Sequence, residues 1–288
     1  FDENGNQLVE AYRINYESFG TFLLKVTNKM THFRANTFLT KEPETLKWLQ
    51  KFIKDSWLID VGANIGIYTL PAAKFHTSKV IAVEAEANNY SELLKNIAIN
   101  KIQNKIEAYL LGISTKYSEK LTKLYLVGEN VGSSCHQLGS NTNHMLQPLG
   151  IERPIRSIYS ISLAKLIIAS SIPSDIPLHI KVDVDGIEAD VCESLFSSGL
   201  INRISSILVE LNPIDLKQHK QLLNKFLTHG FIFSEDQVQK RKVKEGPFRN
   251  FANYIFIPNE IPCENGEPLS NLIKTQHKIL QESIRKDF

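Results

Sequence analysis

The chain has 288 residues, of which 42% are hydrophobic and 22% charged, and its formal net charge is +2. That is enough apolar material for one large domain with extensions. So small a charge gives no electrostatic case for a nucleic-acid partner or an anionic membrane. The three cysteines, Cys135, Cys192 and Cys263, form no CxxC pair and no zinc-ligand spacing. Cysteine use this sparse points to a reducing compartment, so the expected location is cytoplasmic. No apolar run reaches the roughly 20 residues that span a bilayer. The opening Phe1-Asp2-Glu3-Asn4-Gly5 is polar, unlike a signal peptide, and a start without Met is expected of a chain that has lost upstream residues.

Residues 8–13 and 21–26 read as strands around a turn near Ser18-Phe19-Gly20, an N-terminal β extension assigned to residues 1–42. Pro43 opens a helix that runs to about Lys54. A short apolar strand over 57–61 ends in glycine, and a helix follows over 67–75. A second strand covers 79–84. Residues 89–100 then read helical, with Leu93, Leu94, Ile97 and Ala98 on one stripe. The third strand spans 106–111. Residues 114–156 are polar and rich in Gly, Ser and Asn; they read as irregular apart from a strand over 122–127, and so long a segment points to a functional loop. Helices over 162–169, 187–196 and 215–229 then alternate with strands over 179–184 and 206–211. Residues 231–234 and 253–257 suit a closing hairpin. An amphipathic charged helix over 270–288 fills a C-terminal tail assigned to 261–288. Alternation of strands and helices across 43–260 predicts an α/β domain with a mostly parallel sheet covered on both faces. Such sheets bind ligands beyond the carboxyl ends of their strands.

Asp60-Val61-Gly62-Ala63-Asn64-Ile65-Gly66 links the first strand to the first helix. Glycines there allow a tight turn and a close backbone approach, and helix-start amides attract an anionic group. The spacing is GxxxG rather than GxGxxG, with Asn64 after Ala63 where a dinucleotide loop carries another glycine. That disfavours a pressed-in pyrophosphate and suits the amino-acid end of S-adenosylmethionine. Glu84 ends the second strand, where a carboxylate can accept from both ribose hydroxyls. Asp60 is expected near the cofactor's positive charges. Gly112, just past the third strand, completes the candidate cofactor set with Asp60, Gly62, Asn64, Gly66, Glu84 and Asp183. The bland alternative for the two loop glycines is a tight turn and nothing more.

These residues resemble the FkbM-type methyltransferases. The resemblance covers most of 57–257. It rests on Ile59-Asp60-Val61-Gly62-Ala63-Asn64-Ile65-Gly66, Val83-Glu84, Leu94-Lys95-Asn96-Ile97-Ala98-Ile99-Asn100, Ile180-Lys181-Val182-Asp183-Val184-Asp185-Gly186-Ile187-Glu188 and Val209-Glu210-Leu211. It implies a class I (Rossmann-like) methyltransferase fold, seven strands in the order 3-2-1-4-5-7-6 with the last pair antiparallel. It implies S-adenosylmethionine as methyl donor and hydroxyls of sugars, glycans or polyketides as acceptors. The chain departs from the family pattern with Ala85 where Pro is usual, Asp185 where Glu is usual, and Leu163-Ala164 where Leu-Asp is common.

Methyl transfer to a hydroxyl needs alignment of the oxygen and removal of its proton. Asp183 and Asp185, at the end of the fourth strand, are candidate bases or positioners. Alternatively, Asp183 binds the cofactor's amino group, or Asp185 caps the next helix. His136, in Gly132-Ser133-Ser134-Cys135-His136, is a third candidate base, or a solvated loop side chain. Glu210 and Asn212 with Asp183 offer oxygen ligands for Mg²⁺, or simply hydrogen-bonded acids shaping the pocket; no metal ligand is assigned. Lys181, in a strand covered on both faces, needs a buried partner, and Asp60 or Glu210 is expected to supply it. The basic run Lys240-Arg241-Lys242-Val243-Lys244 reads as a solvated face.

The leading expectation is an O-methyltransferase acting on a sugar, glycan or glycolipid, with no nucleic-acid partner, no membrane span and room for a homo-oligomer. The alternatives are N-methylation of protein or nucleic acid, and a non-catalytic cofactor-binding scaffold. Asp183-Val184-Asp185-Gly186 lacks the Asn/Asp-Pro-Pro-aromatic pattern of nucleic-acid amino methyltransferases.

Overall fold

The computed structural model describes residues 11–142, 147–148, 153–211, 216–246, 248–260, 263–264, 267–268 and 270–285. Its centre is a seven-stranded sheet in the order β5-β4-β3-β10-β11-β13-β12. These are Trp57–Val61 (β3), Lys79–Glu84 (β4), Ile106–Leu110 (β5), Leu178–Val182 (β10), Ile204–Leu211 (β11), Phe231–Ile232 (β12) and Ala252–Pro258 (β13). All pairs are parallel except those made by β13, which runs antiparallel to β11 and β12. Numbered within this sheet, the order is 3-2-1-4-5-7-6, as the resemblance implied.

The strands are apolar at almost every position because both faces are covered. Leu58, Val80, Ala82, Leu208 and Ile255 enter one core, and Ile59, Val61, Ile81, Val83, Ile180 and Phe256 enter the other. That alternation is the two-residue period of a strand. Helices Pro43–Leu49 (α2) and Ala87–Asn100 (α4) pack on the first face; Leu163–Ala169 (α5), Glu188–Ser197 (α6) and Leu216–Thr228 (α7) pack on the second. Local chemistry fixes their starts. Pro43 sits in the first turn of α2, and the Glu86 and Ser162 side chains accept from backbone amides to cap α4 and α5.

The N-terminal reading needs a correction. Strands Ala11–Tyr16 (β1) and Gly20–Lys25 (β2) form the expected hairpin, but Lys29–Lys41 is a helix (α1), not a continuation of the β extension. Its start is a capping box: Thr31 N–H donates to the Asn28 side chain and the Thr31 hydroxyl accepts from Asn28 N–H. Nor does the hairpin stand apart. Ile14, Tyr16, Phe22 and Leu24 belong to the first core. Asn100 Oδ1 accepts from Leu23 N (2.8 Å), and Asn96 Oδ1 accepts from Lys25 N (2.8 Å).

The irregular middle is also more ordered than its composition suggests. Gly112–Ile113 (β6), Lys120–Tyr125 (β7), Gln137–Leu138 (β8) and Ile155–Ile161 (β9) make a second sheet in the order β6-β9-β7-β8. Leu124, Leu126, Leu138 and Ile158 pack beneath it against Ala85 and Ile187. Its pairing spans distant segments, so no local period announces it. Glu235–Arg241 (α8) takes up part of the basic run. The tail helix Asn271–Arg285 (α9) is docked: Gln276 accepts from Ile53 N (2.8 Å) and donates to Lys51 O (2.9 Å).

Candidate functional site

The parallel strands bring Asp60, Glu84, Asp183 and Glu210 to one edge of the sheet, beside a cavity of about 510 Å³. Asp60, Gly62, Asn64, Glu84, Gly112, His136, Asp183 and Asp185 all line it. Gly66 does not. Its φ is +91°, and an added Cβ would lie 2.6 Å from Leu93 Cδ1, so its job is packing of the loop on α4. Gly62 (φ +85°) is tighter still, because a Cβ there would lie 1.9 Å from the Asp183 carbonyl oxygen. Its missing side chain makes room for β10 rather than for a ligand.

Both oxygens of Glu84 accept backbone donors, Oε2 from Asn64 N (2.7 Å) and Oε1 from Glu86 N (2.7 Å). Burial raises the Glu84 carboxyl to about 7, against the pull of those two amides. Asn64 sits in the left-handed region and reaches across to Ser133 O with Nδ2 (2.8 Å). Asp60 Oδ2 accepts from Thr69 Oγ1 (2.6 Å), while Oδ1 has no hydrogen-bond partner among the described residues. A buried carboxylate oxygen without a donor suits a ligand that brings cationic or hydroxyl donors.

Lys181 does not find the expected partner. Its ammonium donates to Asp183 Oδ2 at 2.7 Å, two residues along the same strand face, and lies 5.2 Å from the Tyr68 ring centroid. Burial alone would raise the Asp183 carboxyl, but Lys181 and Lys41 outweigh it and hold the carboxyl below its ordinary value. Asp183 is therefore held in its ionised form, which makes it the weaker base of the carboxylates gathered here. Asp185 caps no helix: α6 has no side-chain cap, and Glu188 Oε1 accepts from Gly186 N (2.8 Å), just ahead of the helix. Asp185 instead anchors the middle segment: its Oδ2 accepts from Cys135 N (2.6 Å) and its carbonyl from Gln137 Nε2 (2.6 Å). His136 Nδ1 accepts from Val127 N (3.2 Å), so the neutral ring carries its proton on Nε2 and presents an N–H to its surroundings, not a lone pair. Burial also lowers its pKa.

Glu210 follows the Val182–Val209 pair and so stands beside Asp183. Burial, then Asp183, Glu42 and Asp185, push its carboxyl well above the usual carboxylate range. Asp183, Asp185 and Glu210 each offer an oxygen within 4.8 Å of the others, a spacing at which carboxylates can share a divalent cation. Asn212 lies outside the described residues. The sequence reading missed one whole wall. Met30, Phe33, Arg34, Thr37, Phe38 and Lys41 project from one stripe of α1 into the cavity. Arg34 Nε donates to Gly132 O (2.8 Å), tying that helix to the middle segment. The capping box at Asn28–Thr31 was the legible signal for this helix.

The family model described as Methyltransferase FkbM domain matches residues 60–233. The tRNA(Phe) (4-demethylwyosine(37)-C(7)) aminocarboxypropyltransferase of Pyrococcus horikoshii is 31% identical over 74 residues, which is 26% of this chain and 27% of that protein. The chain thus matches about a quarter of that relative's length. Among solved structures, precorrin-6y C5,15-methyltransferase from Geobacter metallireducens is similar with a TM-score of 0.40 and 10% identity, covering 78% of this chain and 93% of that one. M. jannaschii TYW2 in complex with AdoMet is similar with a TM-score of 0.38 and 12% identity, covering 88% and 87%. Likeness at these levels names no acceptor.

Proposed function

Because the chain belongs to the FkbM methyltransferase family and is an S-adenosylmethionine-dependent methyltransferase, we propose that it methylates a hydroxyl of a sugar, glycan or glycolipid, with Glu210 as the proton acceptor. Bound S-adenosylmethionine supplies a methyl group already activated on a sulfonium. Glu84 would hold the ribose hydroxyls through its remaining lone pairs. Asp60 Oδ1 and Asp183 would face the cofactor's cationic end, and Gly62 and Asn64 would shape the loop beneath it.

The observation that carries the hydroxyl reading is the pairing of unlike carboxyls at the strand ends. Asp183 is held ionised by Lys181 and Lys41, while Glu210, beside it, is pushed up by burial and by Asp183. Two adjacent acids with pKa values driven apart suit division of labour between a positioner and a base. A hydroxyl gives up its proton reluctantly, so the more basic carboxylate, once ionised, is the useful acceptor for it. Asp185 and His136, committed to Cys135 N–H and Val127 N–H, support the wall instead.

The test is incubation with labelled S-adenosylmethionine and a panel of glycans, glycolipids, tRNA and protein. The expected outcome is label on a glycan or glycolipid hydroxyl, with Glu210→Gln losing about 10²–10⁴ in turnover while still binding S-adenosylhomocysteine. Label found only on tRNA or protein would overturn the acceptor class. Unchanged turnover in Glu210→Gln would overturn the base.

A further inference from the structure

Besides Asp60 Oδ1, two buried polar atoms of cavity-lining residues have no hydrogen-bond partner among the described residues: Glu86 Oε1 and His136 Nε2. Both residues line the cavity. Glu86 is 2% exposed, and its other oxygen is committed to α4, accepting from Asn89 N at 2.8 Å. The free oxygen can only accept. The free His136 nitrogen can only donate, because Val127 N–H occupies Nδ1 and fixes the tautomer. One unmet acceptor and one unmet donor are therefore offered by residues of the same cavity wall. Orphaned buried groups of this kind are rare and costly, and a ligand that satisfies both recovers that cost.

The surroundings say what shape that ligand has. Ala85, Leu111, Ile113, Leu124, Leu138 and Ile187 line the same cavity, and Ala85, Leu124, Leu138 and Ile187 of these pack together beneath the second sheet. They are apolar and unbranched by charge, as walls for a flat ring should be. Glu84, two residues before Glu86, is placed for the ribose, and its Oε1 accepts from Glu86 N (2.7 Å). A ring attached to a ribose at Glu84 and enclosed by those apolar walls presents its edge to Glu86 and His136.

We propose that Glu86 and His136 read the edge of the adenine ring of S-adenosylmethionine, Glu86 Oε1 accepting from the exocyclic amino group and His136 Nε2–H donating to the adjacent ring nitrogen. Adenine carries a donor beside an acceptor on that edge; hypoxanthine, with a carbonyl in place of the amino group, does not. His136 is thereby a positioning and specificity residue for the cofactor. The inference rests on the placement of the cofactor in this cavity, and the experiment separates the two.

The probes are S-adenosylhomocysteine and S-inosylhomocysteine, titrated calorimetrically into the full chain. Wild type is expected to bind the adenosyl compound at least about tenfold more tightly, the worth of one buried hydrogen bond gained against one mismatch. Glu86→Gln is the decisive variant. Its amide oxygen can still cap α4 at Asn89 N–H, which turns its NH₂ toward the ring. It should weaken the adenosyl compound about tenfold and strengthen the inosyl compound, reversing or cancelling the preference. His136→Leu should weaken the adenosyl compound about tenfold while its thermal unfolding stays close to wild type. Equal effects of Glu86→Gln on both compounds, or no preference in wild type, would overturn the adenine reading while leaving the cofactor site standing. Failure of wild type to bind S-adenosylhomocysteine at all would overturn the placement of the cofactor itself.

Discussion

Lys181 and Asp183 form an ion pair, Nζ to Oδ2 at 2.7 Å, with the ammonium buried and the carboxylate partly exposed at the cavity. Burial works against the Lys181 charge, but Asp183, Asp60 and Glu42 outweigh it and raise its pKa. The ammonium is the counter-charge for a site that otherwise gathers carboxylates. Lys181→Met leaves Asp183 and Asp60 without it. The expected loss is about 2–3 kcal/mol of unfolding free energy, below the roughly 3–5 kcal/mol of a fully buried pair because the Asp183 carboxylate keeps some solvent. Urea unfolding monitored by circular dichroism measures it; a loss under about 1 kcal/mol would show the pair to be solvated.

Glu84 sets a pH dependence with a definite sign. Its folded value of about 7 lies above the ordinary 4.5, so the folded protein holds the extra proton between those values. The Glu84 contribution to stability is complete at low pH and is lost as pH rises through about 7. A ligand whose hydroxyls donate to the carboxylate binds the ionised form. S-adenosylhomocysteine affinity should therefore rise from acid pH toward neutrality, at most about tenfold per pH unit, and level off above it. Calorimetry in buffers of different ionisation enthalpy should show proton release on binding below neutrality. A Glu84→Gln variant with the same proton release would assign the linkage elsewhere.

The two loop glycines should not respond alike. At Gly62 an added methyl meets a backbone carbonyl at 1.9 Å, which cannot move without shifting β10. At Gly66 it meets the tip of Leu93, a flexible side chain, at 2.6 Å. Both substitutions incur positive-φ strain of about 1–2 kcal/mol. Gly62→Ala should lower the melting temperature by clearly more than Gly66→Ala, in the absence of any ligand. Equal melting temperatures would mean that the loop, not β10, absorbs the clash.

Asp185 is the anchor of the segment around Cys135. Burial and Asp185 push the Cys135 thiol up to about 12. At neutral pH it should react with iodoacetamide far more slowly than an ordinary exposed cysteine. Asp185→Ala frees the Cys135 amide and removes the nearby charge, so alkylation at Cys135 should accelerate and amide exchange over 130–138 should rise. Unchanged rates at both would show that the segment is held by other contacts.

The central sheet was legible because its signals are local. Apolar runs such as Lys79–Glu84, glycine after β3 and the acid that ends β4 all lie within a few residues. What escaped depends on distant partners. Strands β7 and β9 alternate buried and exposed positions, but Leu121 is 79% exposed, which blurs the period, and the two are separated by a long polar stretch. Helix α1 turns Met30, Phe33 and Phe38 to the cavity, while Ala35 is buried off that stripe and Leu39 is exposed, so its apolar residues spread over more than one face. Among the acids, sequence order placed Asp183, Asp185 and Glu210 together. It could not say that Lys181 pairs with Asp183 or that Asp185 is committed to Cys135, because those choices are made by side-chain direction.

Asn96 joins three segments: its Oδ1 accepts from Lys25 N and its Nδ2 donates to Ile65 O (2.9 Å), while Asn100 holds Leu23 on both its N–H and its carbonyl. These amides do for the outer edge of β2 what a neighbouring strand would do. They lie more than 70 residues further along the chain. During synthesis the hairpin therefore emerges with an open edge, and that edge stays available to other chains until α4 has formed and swung in. In the interval between the two the hairpin is open to mispairing, and helix α4 closes that edge.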